Sequence, residues 1–205
     1  MLDGTYAGME ASIADFLNRT DLSASIPDFV TLAEAQLNRQ LRTRLAVLRS
    51  EATVSTQFLA MPPDFQTMIS IVNVLGQPLD QYSQDAMSLL TWENANLGGN
   101  PTAFCIIGTT VQFFPIPSTA QTVIMSYRQR IPPLALNPTG NWVSLSHPDA
   151  YLYGALVAAS PYLQDDDRVS VWGGLFETTV SSILDSDLGT QGERLTPQPS
   201  VSQII

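Results

Sequence analysis

Residues 141–168 read NWVSLSHPDAYLYGALVAASPYLQDDDR, and this stretch decides how the chain is organised. Pro148 suits the first position of a helix, because the N–H that proline lacks would have no partner there anyway. Asp149 follows in the first turn, where the exposed N–H groups favour a negative charge. Ser146 or His147 would then cap the helix. The stretch therefore predicts a helix start at residues 147–149.

Ser144, His147 and Asp149 are close enough together in the sequence to suggest a hydrolytic triad. Triad members are normally distant in sequence and meet only when the chain folds. Because a helix start explains these residues more simply, we predict that they are structural and that no catalytic site lies here.

Small and apolar residues follow on one face of the predicted helix, namely Leu152, Ala155, Leu156, Ala159 and Leu163. Gly154 and Ala158 would let a neighbouring helix approach closely, and Pro161 should kink or end the helix. Residues 165–167 could form an acidic metal loop, but we favour a carboxylate cap on a further helix. The apolar stripe of that helix is Val169, Trp172, Phe176, Val180, Ile183 and Leu184.

The rest of the chain divides into helical and strand-like segments. Three-to-four-residue periodicity predicts helices at 5–18 and from Pro27 to about residue 43, the second with a polar side of Glu34, Asn38, Arg39 and Arg42. Between residues 46 and 131 the pattern predicts a short helix at 83–92 and strands at 52–56, 68–75, 103–107, 111–114 and 123–127.

These segments predict an α+β fold. We expect a helical bundle made of an N-terminal helix pair and a C-terminal helix pair, in residues 1–45 and 145–188. An antiparallel β-rich domain, residues 46–144, is inserted between the two pairs. Residues 189–205 lack periodicity and predict an extended C-terminal tail, which is either frayed or a docking arm.

Composition narrows the possible functions. The chain has 205 residues, 19 acidic and nine basic, and a formal net charge of −10; every basic residue is arginine. General binding to nucleic acid or to an anionic membrane is disfavoured, since both need a basic surface. One histidine and one cysteine are too few for a usual zinc site, and Cys105 in an apolar run is interpreted as a buried small residue. We predict no catalytic, cofactor or metal site, no signal peptide and synthesis in a host cytoplasm.

Two groups of residues are candidate protein–protein contacts. Four of the nine arginines fall within residues 39–49, namely Arg39, Arg42, Arg44 and Arg49. This cluster is either a solvated face or a contact for an acidic partner such as the acidic flank of a neighbouring copy. The second group consists of the apolar residues of the tail, Leu195, Val201, Ile204 and Ile205.

Several short signatures occur in a characteristic order: IPDFVTLAEAQLNRQLR at 26–42, FLAMPPDF at 58–65, FFPIP at 113–117, SYRQRIPPL at 126–134, and NW at 141–142, followed by HPDAYLYGAL at 147–156, PYLQDDDR at 161–168 and Trp172. Together they resemble the adaptor proteins of tailed bacteriophages, which are head-to-tail connectors. The resemblance covers roughly residues 6–186.

The resemblance implies a structural virion protein with no enzymatic activity. Its expected form is a ring, usually of twelve copies, below the portal, with a central channel for DNA. The implied partners are the portal, a tail or nozzle protein, other copies of the chain and double-stranded DNA that passes without sequence-specific binding; no cofactor and no membrane are implied. An alternative is an adaptor with an added peptidoglycan-hydrolase activity, which would need paired carboxylates from candidates such as Glu10, Glu34, Glu51 and Asp64.

Overall fold

The structure, a computed structural model, describes residues 3–19, 21–94, 97–163 and 168–191. The chain forms two compact units, one made of residues 1–44 and 133–205 and the other of residues 45–132. The first unit is helical and the second contains the strands, so the predicted α+β class is confirmed. The chain re-enters the helical unit at Pro133, earlier than the position 145 expected from the sequence.

The elements of the described residues are labelled in chain order. The α-helices are α1 (Tyr6–Leu17), α2 (Ile26–Gln40), α3 (Gln84–Glu93), α4 (Trp142–Ser146), α5 (Pro148–Ala158) and α6 (Arg168–Gln191). The strands are β1 (Val47–Val54), β2 (Phe58–Ala60), β3 (Phe65–Val72), β4 (Asp80–Gln81), β5 (Gly98–Gly99), β6 (Ala103–Ile107), β7 (Thr110–Phe114), β8 (Ile116–Pro117) and β9 (Gln121–Gln129).

Helices α1 and α2 form where the apolar periodicity predicts them. Thr5 caps α1 by accepting a hydrogen bond from the Gly8 N–H at 3.1 Å. The buried face of α1 includes Met9, Ile13 and Leu17, whereas the apolar Phe16 of the same helix is 46% exposed. The core takes Leu17 because it lies one helical turn beyond Ile13 on the same side.

One residue of α2 departs from the expected pattern. The predicted apolar face is buried, but Glu34, assigned by sequence to the polar side, is also buried, with only 8% of its surface exposed. Glu34 neighbours Ala33 and lies one turn from both Val30 and Leu37, so helical geometry directs it toward the core.

The stretch that starts at residue 141 forms two helices before residue 160. Asn141 caps the short α4, accepting hydrogen bonds from the N–H groups of Val143 and Ser144 at 3.0 and 2.9 Å. The Ser144 hydroxyl accepts a reciprocal bond from the Asn141 N–H, which completes a capping box. Helix α5 does start at Pro148 as predicted, but neither Ser146 nor His147 caps it through its side chain. The capping prediction was wrong because the chain is already helical at residues 142–146, so the capping side chain is needed earlier.

Helix α5 lies at the centre of the helical unit and packs against α1, α2, α4 and α6. Its predicted stripe is buried, and it ends at Ala158, before Pro161. A Cβ atom on Gly154 would lie 3.1 Å from both the Ala33 Cβ on α2 and the Phe176 Cε2 on α6. Gly154 therefore permits the close approach of helices that the sequence predicts.

Helix α6 buries Trp172, Phe176, Val180 and Ile183, as its apolar stripe predicts. The proposed cap at residues 165–167 lies outside the described residues. Helix α6 continues to Gln191, so residues 189–191, expected to begin the extended tail, are helical, because a glycine such as Gly189 weakens a helix without ending it. The tail from residue 192 onward lies outside the described residues.

The β unit contains three sheets in its described part. β1, β9 and β3 form an antiparallel sheet in that order; β2, β7, β6 and β4 form a second; β5 and β8 form a third. The sequence predicts an antiparallel domain, but the β4–β6 and β5–β8 pairs are parallel. A parallel pair needs a long crossover connection, and the β4–β6 crossover contains α3.

The second sheet has apolar partners on both faces. Phe104, Val111 and Phe113 share one buried cluster with residues of the β1–β9–β3 sheet. Cys105 and Ala103 belong to another cluster with Met87 of α3. Cys105 is fully buried, as predicted, and burial raises the pKa of its thiol.

The close approach at Gly154 predicts that a Gly→Ala substitution stabilises the protein at Gly173 but not at Gly154. On α6, Gly173→Ala adds a Cβ into open space, so it should raise the free energy of unfolding by about 0.5–1 kcal/mol through helix propensity. Gly154→Ala should lose this gain to its two tight contacts, and Gly154→Leu should destabilise the protein by about 1–3 kcal/mol. Urea denaturation monitored by circular dichroism would measure all three variants. Equal stability of Gly154→Leu and the wild type would show that α5 is not tightly packed.

Candidate interaction surfaces

Arg39 and Arg42 are the members of the arginine cluster that lie in the helical unit, are exposed and have no ion pair among the described residues. Arg39 lies in the last turn of α2, where its positive charge is attracted to the partial negative charge at the C-terminal end of the helix. Arg42 follows just after the helix. Both guanidinium groups therefore remain available for a partner of opposite charge.

Arg44 has a structural contact within the helical unit. Its Nε lies 3.2 Å from the Asp187 Oδ1, and its backbone N–H donates to the same carboxylate at 3.1 Å. Asp187 is largely buried on α6. The ion pair therefore links α6 to the segment that follows α2. A guanidinium engaged in this way is less available than Arg39 or Arg42.

Arg49 belongs to the other unit. It lies on β1, opposite Ser126 of β9, and is exposed. The four arginines that cluster in sequence are thus divided between the helical unit and the β unit. Leu195, Val201, Ile204 and Ile205 lie outside the described residues.

The residues that suggested a triad have separate structural contacts. The Ser144 hydroxyl donates to the Asn141 carbonyl oxygen at 3.2 Å and also accepts the capping-box bond described above. The Asp149 carboxylate accepts a hydrogen bond from the Thr179 hydroxyl of α6 at 3.3 Å. His147 lies at the junction of α4 and α5. These contacts support the structural interpretation of the three residues.

A buried polar network surrounds Glu34, and the sequence did not predict it. The Glu34 Oε1 accepts a hydrogen bond from the backbone N–H of Leu134 at 2.7 Å, and the Tyr151 hydroxyl lies 3.5 Å from the same oxygen. The Asn141 side-chain amide donates to the Tyr151 hydroxyl at 2.7 Å. The network therefore joins α2, the segment that re-enters the helical unit, the cap of α4, and α5. The signal was the position of Glu34 on the apolar face of α2.

Burial governs the protonation of this network. It raises the pKa of Glu34 above its ordinary value of 4.5, although the hydrogen bonds from Leu134 and Tyr151 favour the charged form. Burial also raises the pKa of the Tyr151 phenol, which therefore remains neutral. Glu34 is thus a structural carboxyl group whose pKa is raised by its burial.

The other hydrolase candidates are distributed over both units. Asp64 accepts a hydrogen bond from the Tyr127 hydroxyl at 3.1 Å, and its backbone oxygen accepts from the Arg130 N–H at 2.7 Å. Burial, with the nearby Asp64 carboxylate, raises the pKa of Tyr127 to about 12. Glu51 is exposed on β1 in the same unit, whereas Glu10 and Glu34 belong to the helical unit.

Two apolar side chains on α3 form a surface that the sequence did not indicate. Trp92 is 85% exposed and Leu89 is 64% exposed. They lie three residues apart on the outward side of the helix, because Met87 and Leu90 occupy the inward side. Periodicity predicted α3 itself, but only the packing of Met87 shows which apolar residues are left outside.

Two surface cavities occur in the described part of the chain. One of about 360 Å³ is bordered by Met61, Phe65 and Arg130, and one of about 430 Å³ by Asp15 and Arg19. Neither lining contains two carboxylates. Among the described residues, no cluster of three or more His, Cys, Asp or Glu is suited to bind a metal ion. No described helix combines the length and apolarity needed to cross a membrane.

The described residues thus form two packed units that contain structural polar networks and leave arginine and tryptophan side chains exposed. A family model described as SU10 adaptor protein matches residues 4–199. The chain belongs to this family of phage head-to-tail adaptors and is therefore a structural component of a bacteriophage virion. No curated protein matches the sequence.

The raised pKa of Glu34 predicts a pH-dependent stability. In the unfolded chain Glu34 loses its proton near pH 4.5, whereas the folded protein retains it to higher pH. The unfolded state therefore binds fewer protons in this interval, and the free energy of unfolding should fall as pH rises from 4.5 to the folded pKa. Glu34→Gln keeps an acceptor for the Leu134 N–H but cannot ionise, so this decrease should be absent.

Urea denaturation between pH 4 and 8 would measure the difference. Glu177→Gln, the same chemical change on the exposed side of α6, is the control and should retain the wild-type pH dependence. If Glu34→Gln and Glu177→Gln gave the same pH profile, the burial of the Glu34 carboxylate would not control its protonation. Glu34→Ala, which leaves the buried Leu134 N–H without its acceptor, should cost about 1–3 kcal/mol.

Proposed function

We propose that this adaptor forms a ring of twelve copies that lies below the portal and connects it to the tail. Packaged double-stranded DNA passes through the centre of the ring. Membership in the adaptor family over residues 4–199, nearly the whole chain, is the observation that carries this proposal. The two-unit architecture supports it, because two compact units give each copy separate surfaces with which to contact a neighbouring copy and other virion proteins.

The charge of the chain suits a channel that DNA crosses without binding. A net charge of −10 per copy gives a twelve-membered ring about −120 in total, which repels DNA phosphates from the wall. Each phosphate contact with a basic side chain would have to be broken again during passage. An acidic channel wall makes no such contacts, so none has to be broken while DNA passes.

The exposed arginines and the tail supply the contacts of the assembly. Arg39 and Arg42 are positioned to bind an acidic surface on a neighbouring protein or copy. In the tail, we assign Leu195, Val201, Ile204 and Ile205 to an arm that docks on the portal. The prolines at 197 and 199 favour an extended arm, because proline cannot continue a helix.

Cryo-electron microscopy of the intact phage particle would test the ring. We expect twelve copies of this chain between the portal and the tail, around a channel whose lining is not basic. A neck that lacks this chain would contradict the adaptor role, and an arrangement without a central channel would contradict the ring. A lining rich in arginine would overturn the electrostatic argument.

The docking arm makes a separate prediction. Deletion of residues 195–205 should leave a folded protein that no longer joins the portal, because the deleted residues follow the last described helix, α6, in the sequence. Co-purification with portal rings and circular dichroism would measure binding and folding in parallel. The matched control replaces the polar tail residues Thr196, Gln198 and Gln203 by alanine and should bind normally. Complete particles built from the truncated protein would contradict the proposal that the tail docks on the portal.

A further inference from the structure

We propose that the outward face of α3 in one copy docks on the exposed face of α2 in the next copy. Leu89 and Trp92 form the apolar side of this contact. They pack on Leu32 and Ala35 of the neighbour, whose Arg39 covers the indole ring. This inference rests on the proposed ring and identifies the two surfaces that join its members.

The α3 face has the composition of a protein-binding hot spot. A tryptophan that is 85% exposed leaves a large apolar surface in water, and Leu89 one turn away extends it. Tryptophan is strongly enriched among the residues whose truncation most weakens protein interfaces. Burial of this pair by a partner would remove the unfavourable contact with water.

The α2 face offers a matching surface. Leu32 is 54% exposed, and Ala35 and Arg39 are exposed on the same helix. Their spacing of three and four residues aligns them along one side of α2. The small Ala35 leaves space for a large ring between Leu32 and Arg39. The α2 face therefore provides an apolar contact surface, Leu32 and Ala35, and a cation, Arg39.

Charge identifies the occupant as a second copy of the chain. Residues 50–127 contain five acidic residues and no basic residue, and Asp85 and Glu93 lie on α3 itself. Residues 35–50 contain four arginines and no acidic residue. Asp85, Glu93, Arg39 and Arg42 are exposed, and none of them has an ion-pair partner among the described residues. The two faces of the same chain are thus complementary in charge as well as in apolar surface.

The arginine–tryptophan pairing is chemically reasonable for this protein. A guanidinium over an indole is attracted by the electrons of the ring face, and the attraction strengthens when water is excluded. The chain already uses this contact on α6, where the Arg168 guanidinium carbon lies 5.1 Å from the centre of the Trp172 ring. The α3 face and the α2 face are different surfaces, so successive copies can join head-to-tail, and such a contact forms a ring when the rotation between copies closes.

Thiol cross-linking in phage particles tests the contact. The double variant Ala35→Cys with Leu89→Cys places one thiol on each face, while Cys105 is fully buried. A short bis-maleimide should join neighbouring copies into a ladder of dimers, trimers and larger multimers on a denaturing gel. Each single variant should give no ladder. As a matched control, Leu89→Cys combined with Leu136→Cys, which is also highly exposed, should give none.

The outcomes separate this inference from the proposed function. Particles whose necks lack the wild-type chain would contradict the adaptor role itself. Particles that contain the double variant but yield no ladder would overturn the α3–α2 contact and leave the adaptor role intact. A cross-link from the Leu89→Cys single variant to another virion protein would assign the α3 face to that protein and also overturn the contact.

Charge reversal provides a second measurement that does not depend on added thiols. Arg42→Glu or Glu93→Arg alone should lower incorporation into particles by about tenfold, because each places like charges across the contact, while Arg39 stays available for the indole ring. The two substitutions in one chain restore opposite charges between copies and should restore incorporation. Arg130→Glu, at an exposed site of the β unit, is the control and should incorporate normally. Failure of the double reversal to restore incorporation would contradict the pairing.

Discussion

The buried carboxylate of Glu34 constrains the helical unit more than any other single group. It accepts the backbone N–H of Leu134, a residue 100 positions later in the chain, and both partners are buried. A buried N–H without an acceptor is costly, and so is a buried carboxylate without donors. Each group is satisfied only when the chain returns from the β unit to this one place. The network therefore lets a long β segment interrupt the helical unit while the point of return is still specified.

The signatures that resemble phage adaptors occur in pairs that contact each other. The segment at 26–42 meets the one at 147–156 through Ala33 and Gly154, and again through Glu34 and Tyr151. In the β unit, FLAMPPDF meets SYRQRIPPL through the Asp64–Tyr127 hydrogen bond. These signatures therefore identify the family through its packing. The exposed Trp92 lies outside all of these signatures. A candidate partner-binding surface is therefore identified by the exposure of its side chains in the structure.

The sequence predicts elements whose own residues determine them. The strand at 103–107 and the hairpin through Gly108, which has a positive φ of 57°, follow from local composition and turn chemistry. The short strands β2, β4, β5 and β8 were missed, because two or three residues carry no detectable periodicity. Glu34 was assigned to the wrong face because a charged residue is normally exposed, although its position one turn from Val30 and Leu37 directs it inward; the partners that permit its burial, Leu134 and Tyr151, are distant in sequence. The capping box of Asn141 was missed because Pro148 gave a stronger signal seven residues later.

The acidity of the chain imposes opposite demands on the proposed ring. Copies that each carry a net charge of −10 repel one another, and the same surplus repels DNA from the channel. At physiological salt this repulsion fades over about 8 Å, so it acts most strongly on surfaces that remain in water. Contacts that exclude water are screened less, and there a local pairing of arginine with tryptophan and carboxylate outweighs the average charge. In the proposed ring, the concentration of four of the nine arginines in residues 35–50 would therefore allow one acidic chain both to associate with itself and to leave DNA unbound.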